Sequence, residues 1–299
     1  MCVVAAKYFK DTGWVGVKNR DRNYLPSIKI VQSDLKGLQR IFIYDKSTDY
    51  TEGLNEYGLC IISSTMDVIE DEKPEHQKAL IRAVGKKVRD ALLEKTPQAA
   101  MKKLIASELS GATFVFNEKE CHLLEGGYDK LKSDATPDNP RVFKHTSKRL
   151  ENKPNNVVVR TNHGILIPDI GYQKSHDEAN DGQCGHQPRA SSEKRMKYAE
   201  DSLKKVKQVT DMLDGLAIKD ADKETYFNPI RLGDPEKGDV VTTGQLMVVP
   251  QQKTLHYRPL YSEIEVNYSG INGPDKKTFF EIVSSRDLIA FKEHYNPWK

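Results

Sequence analysis

Residues 1–24 read MCVVAAKYFKDTGWVGVKNRDRNY. Two apolar segments, Val3–Phe9 and Trp14–Lys18, flank the turn sequence Asp-Thr-Gly at positions 11–13. Apolar runs on either side of such a turn are typical of a β-hairpin. The second segment continues into a dense run of polar residues that reaches Tyr24. The stretch therefore predicts two antiparallel strands that end in a polar cluster.

The rest of the chain alternates between strand and helix periodicity. Short strands are predicted at Ile28–Val31, Arg40–Tyr44 and Gly58–Ser63, with a break over residues 47–53. Helices are predicted over residues 76–95, after a cap at Thr96, and over residues 192–213. The last third returns to strands, at residues 240–249, 254–257 and 264–266.

This order of strands, helices and strands favours one domain whose sheets are covered by helices. We expect the domain to span residues 1–299, with polar surface insertions near residues 126–156 and 172–190. A chain of this length can bury a substantial core.

The charge pattern argues against nucleic acid as a partner. Lys and Arg total 46, Asp and Glu total 43, and the formal net charge is +3. The basic residues are interleaved with acids, and the lysine pairs on predicted helices have no aromatic residues among them. Apolar runs such as Gly164–Ile170 are too short to span a bilayer, so we expect no membrane partner.

The first residues do not resemble a signal peptide, because Lys7, Lys10 and Asp11 interrupt the apolar run. The four cysteines, at positions 2, 60, 121 and 184, are widely spaced and contain no C-x-x-C pair. We therefore expect free thiols and a cytoplasmic protein, in which Cys60 and Cys121 are core residues.

Cys2 is the first candidate for chemistry. Removal of Met1 would leave a thiol and a free α-amine on one residue. The amine has a reference pKa of about 7.7–8.0, so near neutral pH part of it is available as a base. A nucleophile and its base would then share one residue. Position alone favours a simpler reading, in which Cys2 is a small strand residue.

The polar cluster at residues 18–24 supplies the groups that such a nucleophile needs. Asp21 can accept a hydrogen bond from the terminal ammonium, and Lys18 or Arg20 can hold a thiolate. In a strand, positions 18 and 20 face one side while 19 and 21 face the other. We interpret Arg22 and Asn23 as a solvated strand end.

Cys2 and the segment at residues 18–21 resemble a known family. An initial Met-Cys, followed by a motif of the arginine-asparagine-x-aspartate type after the second strand, marks the choloylglycine hydrolase and penicillin V acylase group. The related acyl-CoA:6-aminopenicillanic acid acyltransferases share it, within the N-terminal-nucleophile (Ntn) hydrolase superfamily. Asp21 and Asn19 match the motif. The family's arginine falls on Lys18, and Arg20 is the alternative residue for its role.

Three further segments resemble the family in the same order. Residues 53–59, GLNEYGL, are similar to its Gly-x-Asn-Glu-x-Gly-Leu turn, and the backbone N–H that helps to form the oxyanion hole falls on Thr65. Residues 161–164, TNHG, resemble the segment whose asparagine provides the other oxyanion donor, here Asn162. Residues 192–195, SEKR, match a Ser-x-x-Arg helix start, which places Arg195 in the polar network.

The resemblance implies an α+β fold, a four-layer αββα sandwich. It implies hydrolysis of a carbon–nitrogen amide bond outside ordinary peptides, through an S-acyl-enzyme on Cys2. The catalytic residues would be Cys2, Lys18, Arg20, Asp21, Thr65, Asn162 and Arg195. No cofactor or metal is expected, and the substrate would be a small N-acyl molecule. A homo-oligomer is compatible with the sequence.

Three alternatives stay open at this point. Acyl transfer to an amine, instead of water, needs the same residues. A binding or structural protein that keeps the fold without turnover is favoured by Lys18 in place of arginine. A zinc site is conceivable in the loop that contains His163, His176, Cys184 and His186, although the spacing matches no common zinc pattern.

Overall fold

The computed structural model describes residues 2–35, 37–66, 84–129, 136–174, 188–217, 227–231, 233, 237, 239–260, 263–269 and 281–282. Side chains are described up to residue 260. The predicted insertion at 172–190 and the first part of the helix predicted at 76–95 lie largely outside these residues.

The first sheet contains six strands. Their bounds are β1 (Cys2–Phe9), β2 (Gly13–Arg22), β10 (Val157–Arg160), β11 (Val241–Val249), β12 (Thr254–Pro259) and β14 (Glu281–Ile282). They lie in the order β10-β1-β2-β11-β12-β14. The predicted hairpin is confirmed, because β1 and β2 pair antiparallel from Cys2↔Arg20 to Phe9↔Gly13. Gly13 has a φ of 78°, which glycine adopts readily.

The second sheet contains eight strands. Their bounds are β3 (Ser27–Leu35), β4 (Leu38–Asp45), β5 (Thr51–Asn55), β6 (Cys60–Ser64), β7 (Gly111–Phe116), β8 (Cys121–Tyr128), β9 (Phe143–Arg149) and β13 (Glu263–Ser269). They lie in the order β13-β3-β4-β5-β6-β7-β8-β9. All neighbours pair antiparallel except β13 and β3, which are parallel.

The helices are α1 (Pro97–Ala106), α2 (Pro188–Lys205) and α3 (Met212–Leu216), and residues 84–91 are also helical. The predicted cap of α1 is confirmed: the Thr96 hydroxyl accepts from the Ala99 N–H at 3.2 Å, with Pro97 in the first turn. Within the described residues, no helix is both long and apolar enough to cross a membrane.

Three apolar cores separate four layers. Between the two sheets, Val4 and Ala6 of β1 share a core with Phe114 and Phe116 of β7. On the outer face of the first sheet, alternate residues of β1 pack with α2 and α3. On the outer face of the second sheet, β6 and β7 pack with α1 and residues 84–91. The order is helix, sheet, sheet, helix, which confirms the predicted αββα sandwich.

β5, β9 and β14 were not predicted from the sequence. β5 overlaps the predicted break at residues 47–53 and contains the buried polar residues Thr51, Glu52 and Asn55. Such residues are typical of turns, and only their partners elsewhere in the fold make burial favourable. β9 lies in the predicted insertion at 126–156, where its polar residues form a half-exposed edge strand on β8.

The helix predicted over residues 192–213 is also wrong in its extent. α2 ends at Lys205, and α3 begins at Met212. The buried ammonium of Lys7 donates to the carbonyls of Leu203 and Val206, at 2.6 Å each. This long-range contact satisfies carbonyls at the helix end that would otherwise need helix continuation or solvent.

Candidate active site

Cys2 is the first residue of β1 and lies beside the chain that follows β10. The register Val4↔Arg160 brings Asn162 next to Cys2. The backbone nitrogen of Cys2 donates to Asn162 Oδ1 at 3.0 Å. Arg195 Nη2 donates to the same oxygen at 3.2 Å. Three of the predicted site residues, separated by up to 193 positions, therefore meet at one point.

The position of Asn162 is fixed from both sides. Its backbone N–H donates to Ser192 Oγ at 3.0 Å, at the start of α2. Its side-chain amide donates to the carbonyl oxygen of Thr65 at 2.7 Å, directly after β6. The two residues predicted to form the oxyanion hole are thus in contact, and Asn162 bridges the two sheets.

Asp21 belongs to the same network through Arg195. Its carboxylate accepts from Arg195 Nη1 at 3.2 Å and from the hydroxyl of Thr242 at 2.8 Å. The predicted hydrogen bond from a free Cys2 amine to Asp21 stays a prediction, because the Cys2 nitrogen is here a backbone amide whose one hydrogen is donated to Asn162. By strand alternation, the Asp21 side chain faces α2, on the opposite side of β2 from the sulfur.

Lys18 and Arg20 lie between the two sheets, and both side chains are fully buried. Lys18 Nζ is 2.6 Å from Glu52 Oε1 and 3.3 Å from the Tyr50 hydroxyl. Arg20 Nη1 is 3.3 Å from Glu52 Oε2, and Arg20 Nη2 is 3.6 Å from Asp45. A buried charge needs such a partner, so Glu52 neutralises part of this cationic pair.

Arg22 is the residue that the sequence interpretation missed. Its Nη1 donates to Cys2 Sγ at 3.4 Å, and its side chain is only 12% exposed. Arg22 is thus part of the site and not a solvated strand end. The signal was available in principle: if β2 continues to position 22, Arg22 lies on the same face as Lys18 and Arg20.

The charges around the Cys2 sulfur favour its ionised form. Burial raises the pKa of this thiol, but the positive charges of Lys18 and Arg22 outweigh it and lower the pKa to about 6. The negative charge of Asp21 partly opposes this lowering of the pKa. The balance of charges around the sulfur thus favours the thiolate that a nucleophile needs.

His163 is buried beside Asn162 but faces a different set of partners. Its Nδ1 is 2.7 Å from Ser192 Oγ and 3.1 Å from Thr161 Oγ1. Burial, followed by the charge of Arg189, lowers the pKa of His163 to about 4. The ring is neutral at physiological pH and supports the Thr161–Asn162 segment.

The other members of the predicted zinc cluster, His176, Cys184 and His186, lie outside the described residues. Over the part of the chain that the structure describes, no three or more His, Cys, Asp or Glu side chains are grouped so that they could hold a metal ion.

Comparison with known proteins found no matching family model and no matching curated protein. Among solved structures, the chain is similar to a mutant of the conjugated bile acid hydrolase from Clostridium perfringens, with 12% identity and a TM-score of 0.45 over 87% of this chain and 89% of that chain. It is also similar to the penicillin V acylase from Agrobacterium tumefaciens, with 11% identity and a TM-score of 0.41 over 89% of this chain and 95% of that chain.

The sequence motifs of this chain by themselves resemble the Ntn hydrolase superfamily. The αββα architecture implied by that resemblance is present in this chain, as its own two sheets and three cores show.

Proposed function

We propose that this chain is a cysteine Ntn hydrolase that cleaves a carbon–nitrogen amide bond outside ordinary peptides. The observation that carries the proposal is the convergence on Cys2: its nitrogen contacts Asn162, its sulfur contacts Arg22, and Arg195 joins Asn162 to Asp21. A nucleophile, a terminal amine and amide donors in one place suit acyl transfer.

In this mechanism the mature chain begins at Cys2. The thiolate attacks the amide carbon and forms a carbon–sulfur bond. As the carbon–nitrogen bond breaks, the protonated α-amine of Cys2 gives a proton to the leaving amine. Water then attacks the thioester carbon, and the α-amine accepts a proton from the water. The carbon–sulfur bond breaks, which releases the free acid and regenerates the Cys2 thiolate.

The negative charge that develops on the carbonyl oxygen needs fixed donors. The backbone N–H of Thr65 and one hydrogen of the Asn162 amide would provide them; the other amide hydrogen holds Asn162 beside Thr65 by donating to its carbonyl oxygen. Asp21 and Arg195 would hold Asn162 and the amine in position. Lys18 and Arg20 would act through the charge of the buried cluster.

The substrate is proposed to be a small N-acyl molecule in a cytoplasmic setting. A panel of bile-salt-type amides, penicillin-type amides, N-acyl amines and lactones, each with and without an added amine acceptor, tests the activity. Release of the free acid supports hydrolysis, and a new amide only in the presence of acceptor indicates an acyltransferase. No product and no acyl adduct on Cys2 with any member would favour a protein without turnover.

A further inference from the structure

Three cationic side chains occupy one face of β2, at alternate positions 18, 20 and 22. Lys18 and Arg20 share the carboxylate of Glu52 and are fully buried. Arg22 differs from both, because its Nη1 lies 3.4 Å from Cys2 Sγ and its side chain is partly exposed. Arg22 is thus the cation that combines contact with the sulfur and access from solvent.

The buried cluster between the sheets has unequal charges. Among the residues that the structure describes, Lys18, Arg20 and Arg22 carry three positive charges in this cluster, whereas Asp45 and Glu52 carry two negative ones. An excess buried charge is costly unless an opposite charge lies nearby. An ionised Cys2 sulfur beside Arg22 supplies the third negative charge and makes the cluster neutral.

In the described part of the chain, the other titratable groups near the sulfur do not supply this negative charge. Burial raises the pKa of the Tyr50 hydroxyl, and burial likewise raises that of Tyr24, so both stay neutral. Asp21 faces α2 on the other side of β2 and is paired with Arg195 there. The α-amine of a mature chain would be positive or neutral, so it cannot balance the excess positive charge of the buried cluster either.

The guanidinium of Arg22 is held by groups that do not depend on Cys2. Its Nη1 donates to the backbone oxygen of Asp21 at 2.7 Å, and its Nε is 3.8 Å from Asp45 Oδ2. Its Cζ lies 5.3 Å from the centre of the Tyr50 ring, a cation–π distance. The donor is therefore fixed before any substrate binds.

We propose that Arg22 is a catalytic residue of this chain, whose guanidinium holds the Cys2 sulfur as a thiolate ready to attack the amide. The thiol proton passes to solvent or to the α-amine before the substrate binds. The inference rests on the proposed function only in taking Cys2 as the nucleophile, and the charge at the sulfur can be measured without any substrate.

The test is the rate of alkylation of Cys2 by iodoacetamide as a function of pH, read by peptide mass, in the chain whose Met1 has been removed. In Arg22→Gln, the apparent pKa of alkylation should rise by about 1 to 3 units, the usual effect of losing an adjacent opposite charge. Arg22→Lys should restore part of this shift, because it keeps the charge. Asp45→Asn should move the pKa in the opposite direction, since it adds to the positive excess.

Arg89→Gln is the matched control. Arg89 is also a partly buried arginine, paired with Asp49 at 2.8 Å and 5.6 Å from the Tyr44 ring, but it belongs to the helical layer outside the second sheet. Its loss should leave the profile unchanged. The proposal is overturned if Arg22→Gln and Asp45→Asn both show the same pH dependence of Cys2 alkylation as the wild type. If the alkylation pKa shifts as expected in these variants but the protein hydrolyses no amide, the proposed function is refuted and the role of Arg22 at the sulfur stands.

Discussion

Cys2 and Cys60 are both buried and both face the space between the two sheets, yet their surroundings give the two thiols opposite properties. Cys60 lies among apolar residues, where its sulfur donates to the Gly58 carbonyl at 3.6 Å, and burial raises its pKa well above the ordinary value. Cys121 behaves in the same way. At Cys2, Lys18 and Arg22 reverse the sign of the shift. Since all three thiols are buried, the opposite pKa shift at Cys2 comes from its neighbouring positive charges.

Replacement of each cysteine by serine should give the largest difference between the charged surroundings of Cys2 and the apolar surroundings of Cys60 and Cys121. Cys2→Ser should lower turnover by several orders of magnitude, because a serine hydroxyl is a poor nucleophile that the weak terminal base can hardly activate. Its melting temperature should stay near that of the wild type below pH 6, where the Cys2 thiol of the wild type is protonated. Cys60→Ser and Cys121→Ser should lower stability by about 1–3 kcal/mol, since each buries a hydroxyl in an apolar core. Their rate per folded molecule should stay near that of the wild type. If Cys2→Ser keeps the turnover of the wild type, Cys2 is not the nucleophile and does not differ in function from Cys60 and Cys121.

A second comparison concerns two buried asparagines. Asn162→Ala should lower the rate by about 10²–10³, the usual loss for an oxyanion donor. Asn55 instead shapes a turn, because its Oδ1 accepts from the N–H groups of Tyr57 and Leu59. Asn55→Ala should therefore lower the melting temperature and leave the rate of the folded protein nearly unchanged. Equal effects of both variants on rate would contradict the assignment of Asn162.

The shift at Cys2 should also appear in stability. Its pKa is lowered in the folded chain, so ionisation stabilises the fold above the unfolded pKa, and this contribution is lost as the pH falls towards about 6. Urea unfolding of wild type and Cys2→Ala at pH 6 and pH 9 measures it. The difference in unfolding free energy should grow by about 1–4 kcal/mol at the higher pH, at about 1.4 kcal/mol per pKa unit. If the difference in unfolding free energy is the same at both pH values, the pKa of the Cys2 thiol is not lowered by folding.

His163 should have the smallest effect on the pH dependence. Because its pKa is lowered to about 4, the acidic limb of the rate profile should belong to Cys2 and not to this ring. His163→Gln removes the contacts of the ring with Ser192 and Thr161, but the midpoint of the acidic limb should stay in place. A midpoint that moves with this substitution would make His163 the titrating group.

Much of the fold could be predicted because it depends on local patterns. The hairpin follows from its apolar runs and turn, and the start of α1 follows from Thr96 and Pro97. Elements that depend on distant partners could not be predicted: β5 is stable because Glu52 meets Lys18 and Arg20, and the end of α2 depends on Lys7.

The site divides in the same way. The motifs brought Cys2, Asp21, Asn162 and Arg195 to attention, and the structure places them together. Arg22 was missed because a charged residue at a strand end is usually solvated. Its burial depends on Tyr50 and Asp45, which lie on strands and turns far away in sequence.

The most direct test of the account is the location of the acyl group during turnover. The protein is incubated with an N-acyl substrate from the panel, quenched in acid, and analysed by intact and peptide mass. The account predicts a chain that has lost Met1 and carries one acyl group as a thioester on Cys2. Turnover by a chain that keeps Met1, or an acyl group on any other residue, would contradict it.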